Sequence, residues 1–179
     1  MKSKKALSAV VATVLIILIT VAAVTIIWAA IIPMIKNKIS GGSLCLDAVS
    51  QVSLVKDGGY TCYTKNSSGS VLNLSLQITH GAKDFDLSDI QVLVSSEGNT
   101  KTALLSNNSV VMIPSDATVT MPGINQEKVY VIDIFSSTGM NMDVTSLDKV
   151  QIAPIVKVGS TQETCDISSE AVLDMCALF

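Results

Sequence analysis

The sequence contains no arginine and a single histidine, His80. Both features limit the functions that the protein is expected to have. Acidic residues outnumber lysines, 15 to 12, which gives a formal net charge of −3 at pH 7. A nucleic-acid-binding domain usually carries a basic patch, so we expect no nucleic-acid partner. One histidine also leaves little material for a Cys–His or Ser–His–Asp arrangement. We therefore predict that the chain is not an enzyme.

The sequence also lacks a glycine-rich phosphate loop and a metal-binding histidine pair, so no cofactor is expected. His80 lies in the segment "THGAKD", which predicts a turn with a solvated histidine. Three carboxylates, Asp84, Asp86 and Asp89, follow within "DFDLSD", and carboxylate oxygens can ligate calcium. This cluster lacks the glycine and the distal glutamate of an EF-hand loop. Turn or capping roles for these aspartates are the expectation, and no metal site is predicted.

None of the four cysteines belongs to a C-x-x-C pair, which argues against a zinc site. An even number of cysteines in an exported domain favours disulfides. Three pairings are possible, and the sequence does not settle which one forms. The pairing preferred here joins sequence neighbours, Cys45 to Cys62 and Cys165 to Cys176.

From Ala6 to Ile35 the chain has no ionisable side chain. At about 1.5 Å rise per residue, a helix of these 30 residues is about 45 Å long, which exceeds the roughly 30 Å core of a bilayer. Pro33 is expected to bend or end the regular helix. The polar stretch from Lys36 to Ser43 then predicts an exit with a flexible joint at Gly41-Gly42.

Beyond the joint the hydrophobic period changes to two, which is typical of strands. The predicted strand segments are "LCLDAVSQVSLV", "GYTCYT", "SVLNLSLQIT", "IQVLVSS", "KTALL", "ATVTM", "KVYVIDIF" and "DKVQIAPIVKV". Turn signals such as "KDGG" and "SEGN" separate several of them, and the tail "SSEAVLDMCALF" is interpreted as a last strand. The predicted fold class is therefore α+β: a long N-terminal hydrophobic α-helix followed by an antiparallel, Ig-like β-sandwich.

The apolar run has three possible fates. A cleaved secretory signal has a core of about 7–15 apolar residues, which is much shorter than this run. A permanent single-span anchor would leave the lysines at positions 2, 4 and 5 in the cytoplasm and the body outside.

The third fate is a helix that later packs among copies of itself. A 4-3 spacing of mostly small residues suits such packing. The residues of this predicted seam are Ala9, Thr13, Ile16, Thr20, Ala23, Ile27 and Ala30. Periodicity alone does not separate the anchor from the packed helix.

The stretch "KKALSAVVATVLIILITVAAVTIIW" resembles the N-terminal segment of archaeal type IV pilins. In that family a leader ends in a basic and a small residue, and a "(V/L)-S-x-(V/I)-(V/I)-(A/G)" motif starts the mature helix. Here Lys4, Lys5 and Ala6 would end the leader, and Leu7 would begin the mature chain. The resemblance implies cleavage between Ala6 and Leu7 by a prepilin peptidase.

The fifth mature residue would be Val11, where bacterial type IV pilins usually carry glutamate. This departure weakens a bacterial assignment and leaves the archaeal one intact. Archaellins, the subunits of the rotating archaeal filament, have a usually more glycine-rich helix start, so the pilus is favoured over the archaellum.

The resemblance implies three parts: a leader at residues 1–6, a hydrophobic assembly or transmembrane helix at 7–40, and an extracellular domain at 41–179. It further implies a cell-surface filament whose partners are further copies of the chain, the prepilin peptidase and the assembly machinery, with membrane insertion before assembly. Three N-x-S sequons, at Asn66, Asn73 and Asn107, fit an outward-facing domain that carries glycans. The alternative function is a membrane-anchored β-sandwich binding domain that never polymerises.

Overall fold

The computed structural model describes residues 4–107, 110–113, 118–137 and 139–176. The chain divides into two compact units, Met1–Ser40 and Gly41–Phe179, and each is described by itself. The first unit is helical, and the second contains the end of a helix and all ten strands that the structure describes.

The helical part has three consecutive segments. Helix α1 is Lys4–Ile26, a π-helical segment covers Ile27–Ile31, and helix α2 is Ile32–Gln51. Pro33 is therefore the second residue of α2, but the chain is already helical before it, so Pro33 lies inside a continuous helical stretch, directly after the π-helical segment. The predicted disturbance of regular helix is present, but it lies just before Pro33, and the chain stays helical beyond it.

The prediction of a joint at Gly41-Gly42 is wrong, because both glycines lie inside α2. The prediction of a strand from Leu44 to Val55 is wrong for residues 44–51, which belong to α2, whereas a strand does form within this segment at Val52–Leu54. The end of α2 packs on the body: Ala48 is fully buried, and Leu44 packs partly against the core. This burial overrides the weak helix propensity of glycine.

The ten strands, in chain order, are β1 Val52–Leu54, β2 Cys62–Lys65, β3 Val71–His80, β4 Leu87–Ser96, β5 Asn99–Leu104, β6 Val110–Ile113, β7 Glu127–Asp133, β8 Lys149–Val158, β9 Thr161–Thr164 and β10 Ser169–Val172. They form two antiparallel sheets of five strands each. One sheet has the order β1-β3-β7-β6, with β2 also paired to β3; the other has the order β10-β8-β4-β5, with β9 also paired to β8.

In each sheet, two short strands pair one after the other along the same edge of one ten-residue strand. In the first sheet, β2 pairs with the start of β3 and β1 with its end. In the second, β10 pairs with the start of β8 and β9 with its end. Residues from both sheets belong to one hydrophobic core, which includes Leu76, Ile132, Val92 and Ile152. The coarse prediction, an α+β chain with one long N-terminal helix and antiparallel sheets, is confirmed.

Most strand predictions are confirmed within a few residues, and the tail does contain a strand, β10. The prediction for "ATVTM" is wrong in its described part, residues 118–121, which forms no strand. Side chains hold this segment instead: the Tyr130 hydroxyl donates to the Thr120 carbonyl at 2.8 Å, and Lys128 Nζ donates to Thr120 Oγ1 at 2.6 Å. The sequence interpretation missed the short strands β6 and β9.

Both disulfides form, but the preferred pairing is wrong. Cys45 is bonded to Cys165 and Cys62 to Cys176, with Cα–Cα distances of 5.1 and 4.9 Å. The two disulfides are interleaved along the sequence, because the end of the chain lies beside β2. The Tyr63 N–H donates to the Asp174 carbonyl at 3.1 Å, and the Cys176 N–H donates to the Tyr63 carbonyl at 2.9 Å.

Candidate functional site

The N-terminal helix presents a long uncovered apolar surface. Every side chain from Val10 to Ile31 is exposed within the single chain, all around the helix. Among the described residues, one helical stretch, Val10–Gln51, contains a window long and apolar enough to cross a membrane. A helix that is apolar on all sides requires either lipid or other protein around it. This helix is therefore the candidate site.

The threonines do not make the helix surface polar. Thr13, Thr20 and Thr25 each donate their hydroxyl to the carbonyl of the residue three positions earlier, at 2.9, 2.9 and 2.8 Å. A hydroxyl bonded in this way needs no external partner, so it is tolerated in lipid or in a protein core. The threonines thus behave as small packing residues.

The predicted seam falls in two kinds of helix. Its first five residues lie in α1, whereas Ile27 and Ala30 lie in the π-helical segment. A π-turn contains more residues than an α-turn, so the 4-3 spacing no longer keeps these two residues on the same stripe as the others. All seam side chains that the structure describes are exposed; the Ala9 side chain is outside the described set.

A shallow groove of about 230 Å³ lies on the surface of α1, between Thr20, Val21, Val24 and Thr25. It includes one predicted seam residue, Thr20. Its walls are β-branched side chains with few rotamers, so the shape of the groove is well defined. A neighbouring helix would find a concave, dry surface here.

The residues of the predicted leader junction, Lys4, Lys5, Ala6 and Leu7, belong to α1, but their side chains are outside the described set. Residues 1–3 lie outside the described residues altogether.

The three sequons occupy different surroundings. Asn66 is in the connection between β2 and β3, and its Oδ1 accepts from the Ser68 N–H at 3.0 Å, the Ser68 hydroxyl at 2.7 Å and the Ser70 N–H at 3.0 Å. Asn73 is inside β3, with Thr64 and Asp133 as its neighbours on the two adjacent strands. Asn107 is exposed, but residues 108 and 109 of its sequon lie outside the described residues.

The prediction that His80 is a solvated turn residue is wrong. His80 is the last residue of β3 and only 2% exposed. Its Nδ1 lies 2.9 Å from the Pro122 carbonyl oxygen and its Nε2 lies 3.1 Å from the Lys83 carbonyl oxygen, while the Phe85 ring is 4.6 Å away, centroid to centroid. Carbonyl oxygens only accept, so a neutral imidazole donates to one of these two groups and a doubly protonated ring donates to both; in either case the ring is enclosed by backbone groups of its own chain.

The three aspartates of "DFDLSD" do not act together. Asp89 is buried and accepts from the Ser106 hydroxyl at 2.6 Å and from the Ile90 N–H at 2.8 Å, so it organises a turn, whereas Asp84 and Asp86 are exposed. Among the described residues, no group of three His, Cys, Asp or Glu side chains is arranged to hold a metal ion.

Two further groups have shifted pKa values. Burial, and next the negative charge of Asp89, raise the pKa of the Tyr130 hydroxyl well above its usual value. Partial burial opposes ionisation of Asp133, but hydrogen bonds from the Ser136 hydroxyl and from the N–H groups of Ser136 and Phe135 outweigh it and lower the pKa of this carboxyl. Both groups stabilise the body, Tyr130 as a neutral core residue and Asp133 as the acceptor of a turn.

Comparisons with protein-family models and with curated proteins gave no match to this chain.

Proposed function

We propose that this chain is the structural subunit of an extracellular filament of the archaeal type IV pilus kind, polymerising through its N-terminal helix. The observation that carries the proposal is the uncovered apolar surface from Val10 to Ile31 in a chain whose second unit holds two disulfides. The helix and the disulfides are compatible with a membrane or extracellular location. The resemblance of residues 4–28 to the N-terminal segment of archaeal type IV pilins gives the specific class.

In this proposal the helix exchanges one apolar environment for another. Before assembly it lies in the cytoplasmic membrane, and afterwards it is surrounded by the helices of neighbouring copies. Transfer from water does not drive this step, so the gain comes from close packing. Small side chains at Thr13, Thr20 and Ala23, and the groove beside Val24, permit close approach of helix backbones. Each copy uses two different surfaces, so the assembly does not close.

The body forms the outer surface of the proposed filament, as an Ig-like β-sandwich stapled by the two disulfides. Its shared core and antiparallel sheets support this finer assignment. In the exported, oxidising location that we propose, both disulfides stay formed. Under the same proposal, a prepilin peptidase removes residues 1–6, and the assembly machinery draws the mature chain from the membrane.

The first test is the mass of the N-terminal peptide of native material. A mature chain that begins at Leu7 supports the proposal. Retention of the segment from Lys2 to Ala6 on the mature protein, together with the absence of any high-molecular-weight species, would establish the alternative, an anchored binding domain.

The second test addresses the seam. Ala23→Trp places a large side chain in the proposed packing face and should abolish filaments while leaving membrane insertion intact. Ala22→Trp is the matched control, because it adds the same side chain at a neighbouring helix position outside the seam. Equal filament yields from the two variants would refute the proposed packing face.

A third measurement uses the single tryptophan of the chain, Trp28, which is 68% exposed within the π-helical segment. Lipid-soluble bromine quenchers should quench Trp28 fluorescence in the membrane-inserted chain and lose access to it in filaments. Quenching that is unchanged between the two states would contradict a helix buried among other helices. An archaellin would give the same result, so motility of the producing cells separates the pilus from the archaellum.

A further inference from the structure

An open cavity of about 520 Å³ lies at one end of the body, formed by three chain segments. They are the end of β3 at His80, the connection from Asp84 to Leu87, and residues 121–124. Phe85 and Pro122 are buried in its wall, and Ile124 is 43% exposed. Leu87 and Met121, which also line the cavity, are half-buried, so the cavity presents apolar surface to a binding partner.

Two carboxylates, Asp84 and Asp86, line the same cavity and are exposed. Two ion pairs occur among the described residues, Lys83 with Asp47 and Lys149 with Glu170, and neither includes these aspartates. Lys83, the lysine nearest to them in sequence, directs its amine to Asp47 at 2.5 Å. The Lys157 N–H donates to the Asp86 carbonyl at 3.0 Å, but no ion pair of the Asp84 or Asp86 carboxylate occurs among the described residues, so the cavity keeps two unpaired carboxylates.

The opposite charge occurs elsewhere in the chain. Residues 41–179 contain seven lysines and all 15 acidic residues, a balance of 7 − 15 = −8. Between Ala6 and Leu46 the only charged residues are Lys36 and Lys38, and both are exposed. No acidic residue lies within one helical turn of either lysine, so α2 itself offers them no partner.

We propose that the cavity binds the segment Ile35–Ile39 of a second copy of this chain. The segment reads "IKNKI": two lysines two positions apart, flanked by isoleucines that are 51% and 68% exposed. The cavity has the complementary composition, two carboxylates beside apolar side chains; on helix α2, Ile35 and Ile39 share one face, and Lys36 and Lys38 flank that face on its two sides. Asp84 and Asp86 receive the two ammonium groups, and the apolar walls receive Ile35 and Ile39. This inference rests on the proposed filament and adds a contact between helix and body.

A metal ion is a poorer occupant, because the described residues supply no third His, Cys, Asp or Glu side chain beside the two aspartates and calcium takes 6–8 oxygen ligands. An anionic lipid surface is excluded by charge. A close charge pair at an interface also fixes the register of two copies, and it gives the contact its dependence on ionic strength. The contact would therefore order the bodies along the filament.

The experiment is a charge exchange in the full-length chain, read as filament yield by electron microscopy and sedimentation. Lys36→Glu/Lys38→Glu should lower the yield at least about tenfold, the factor expected from about 1.4 kcal/mol at a close charged contact. Combining it with Asp84→Lys/Asp86→Lys should restore the yield. The matched control Asp166→Lys/Asp174→Lys makes the same charge change at exposed positions outside the cavity and should not restore it.

Carbodiimide cross-linking of wild-type filaments identifies the contact directly. The dimer band from a denaturing gel should contain a peptide that joins Lys36 or Lys38 to Asp84 or Asp86. The same cross-link only in the monomer band would mean that the segment binds its own chain, and this outcome overturns the inference. Restoration by the control pair would overturn it as well.

The two proposals fail in different ways. If the wild-type chain makes no filaments and keeps its leader, the proposed function is wrong. If it makes filaments whose subunits begin at Leu7, but neither the exchange nor the cross-link gives the expected result, only the docking contact is wrong. One further outcome would decide against the contact: the monomer binds calcium, the double variant Asp84→Asn/Asp86→Asn loses this binding, and the same variant forms filaments with unchanged yield.

Discussion

Cys45, in the last part of α2, is bonded to Cys165, which lies 120 positions later, just after β9. The bond fixes the end of the helix to the second sheet, and Cys62–Cys176 fixes β2 to the end of the chain. Each sulfur pair closes a loop of more than 100 residues. The stability of the body should therefore depend strongly on both.

Replacing either cysteine pair with serine should lower the free energy of unfolding by about 4–5 kcal/mol, since loops of this length restrict the unfolded chain most. Chemical denaturation of the detergent-solubilised full-length chain measures the change. Peptide mapping under non-reducing conditions checks the pairing. Recovery of a peptide that joins Cys45 to Cys62 would contradict the crossed connectivity.

Tyr130 should make the body sensitive to alkali. Its side chain is fully buried, and its raised pKa means that the unfolded chain releases this proton at a lower pH than the folded chain. Its contribution to stability is complete below the unfolded pKa of about 10, and it is lost as the pH rises from there through the folded pKa.

Denaturation at about pH 8 and about pH 11, on either side of that unfolded pKa, measures the effect. Tyr130→Phe should remove part of the alkaline loss, while Tyr60→Phe, at a side chain that is 52% exposed, should leave it unchanged. An identical alkaline loss in wild type and Tyr130→Phe would show that this hydroxyl does not contribute.

Two glycines should respond to alanine in opposite directions. Gly42 lies inside α2, and a Cβ added there meets nothing within 4 Å, so Gly42→Ala should raise stability by about 0.5–1 kcal/mol. A Cβ at Gly139 would lie 2.2 Å from the Asp133 carbonyl oxygen, which is rigid backbone of β7. Gly139→Ala should therefore lower stability by at least about 1–3 kcal/mol. Thermal unfolding of both variants tests this, and a loss of stability in Gly42→Ala would favour a non-helical joint.

Glycan occupancy should differ between the sequons. The Oδ1 atom of Asn66 is held by Ser68 and Ser70 in a connecting segment, and no hydrogen bond of its Nδ2 occurs among the described residues. Asn73 lies between two paired strands, where a glycan would crowd Thr64 and Asp133. We expect modification at Asn66 and none at Asn73. Glycopeptide mass analysis of native protein provides the measurement.

The matched variants for this site are Ser68→Ala and Ser70→Ala. Ser68→Ala removes the sequon and should leave Asn66 unmodified. Ser70→Ala keeps the sequon, together with the backbone N–H that contacts Asn66, and should leave occupancy unchanged. A glycan on Asn73 with none on Asn66 would reverse the expected order.

Strands in which every second residue is hydrophobic and faces the core could be predicted from the sequence. In β3, Leu74, Leu76 and Ile78 are all fully buried, as a period of two requires. The segment from Leu44 to Val55 fits both the strand period of two and the helical period of 3.6, because Leu44, Ala48 and Val52 follow helical spacing. Only packing against the body selects the helix there, and the sequence contains no local signal of that packing.

The disulfide pairing and the position of His80 depend on contacts between distant segments. Cys45 and Cys165 meet because β8 and β9 bring the later cysteine toward α2, and no spacing rule encodes this arrangement. His80 is surrounded by polar and small residues in sequence, yet it is buried, and one of its partners is the carbonyl group of Pro122, 42 positions later. The lysine pair at 36 and 38 is visible in the sequence, but the cavity that complements it is assembled from separate segments.

The Cys45–Cys165 bond also sets how the body responds to tension. A force applied along α2 reaches Cys45 and passes through the sulfur atoms to Cys165, so it bypasses the chain between them. About 120 residues, which would extend by roughly 400 Å if pulled straight, are therefore removed from the force path. Under load, the strands inside this covalent loop cannot be separated from the helix side until the disulfide is reduced.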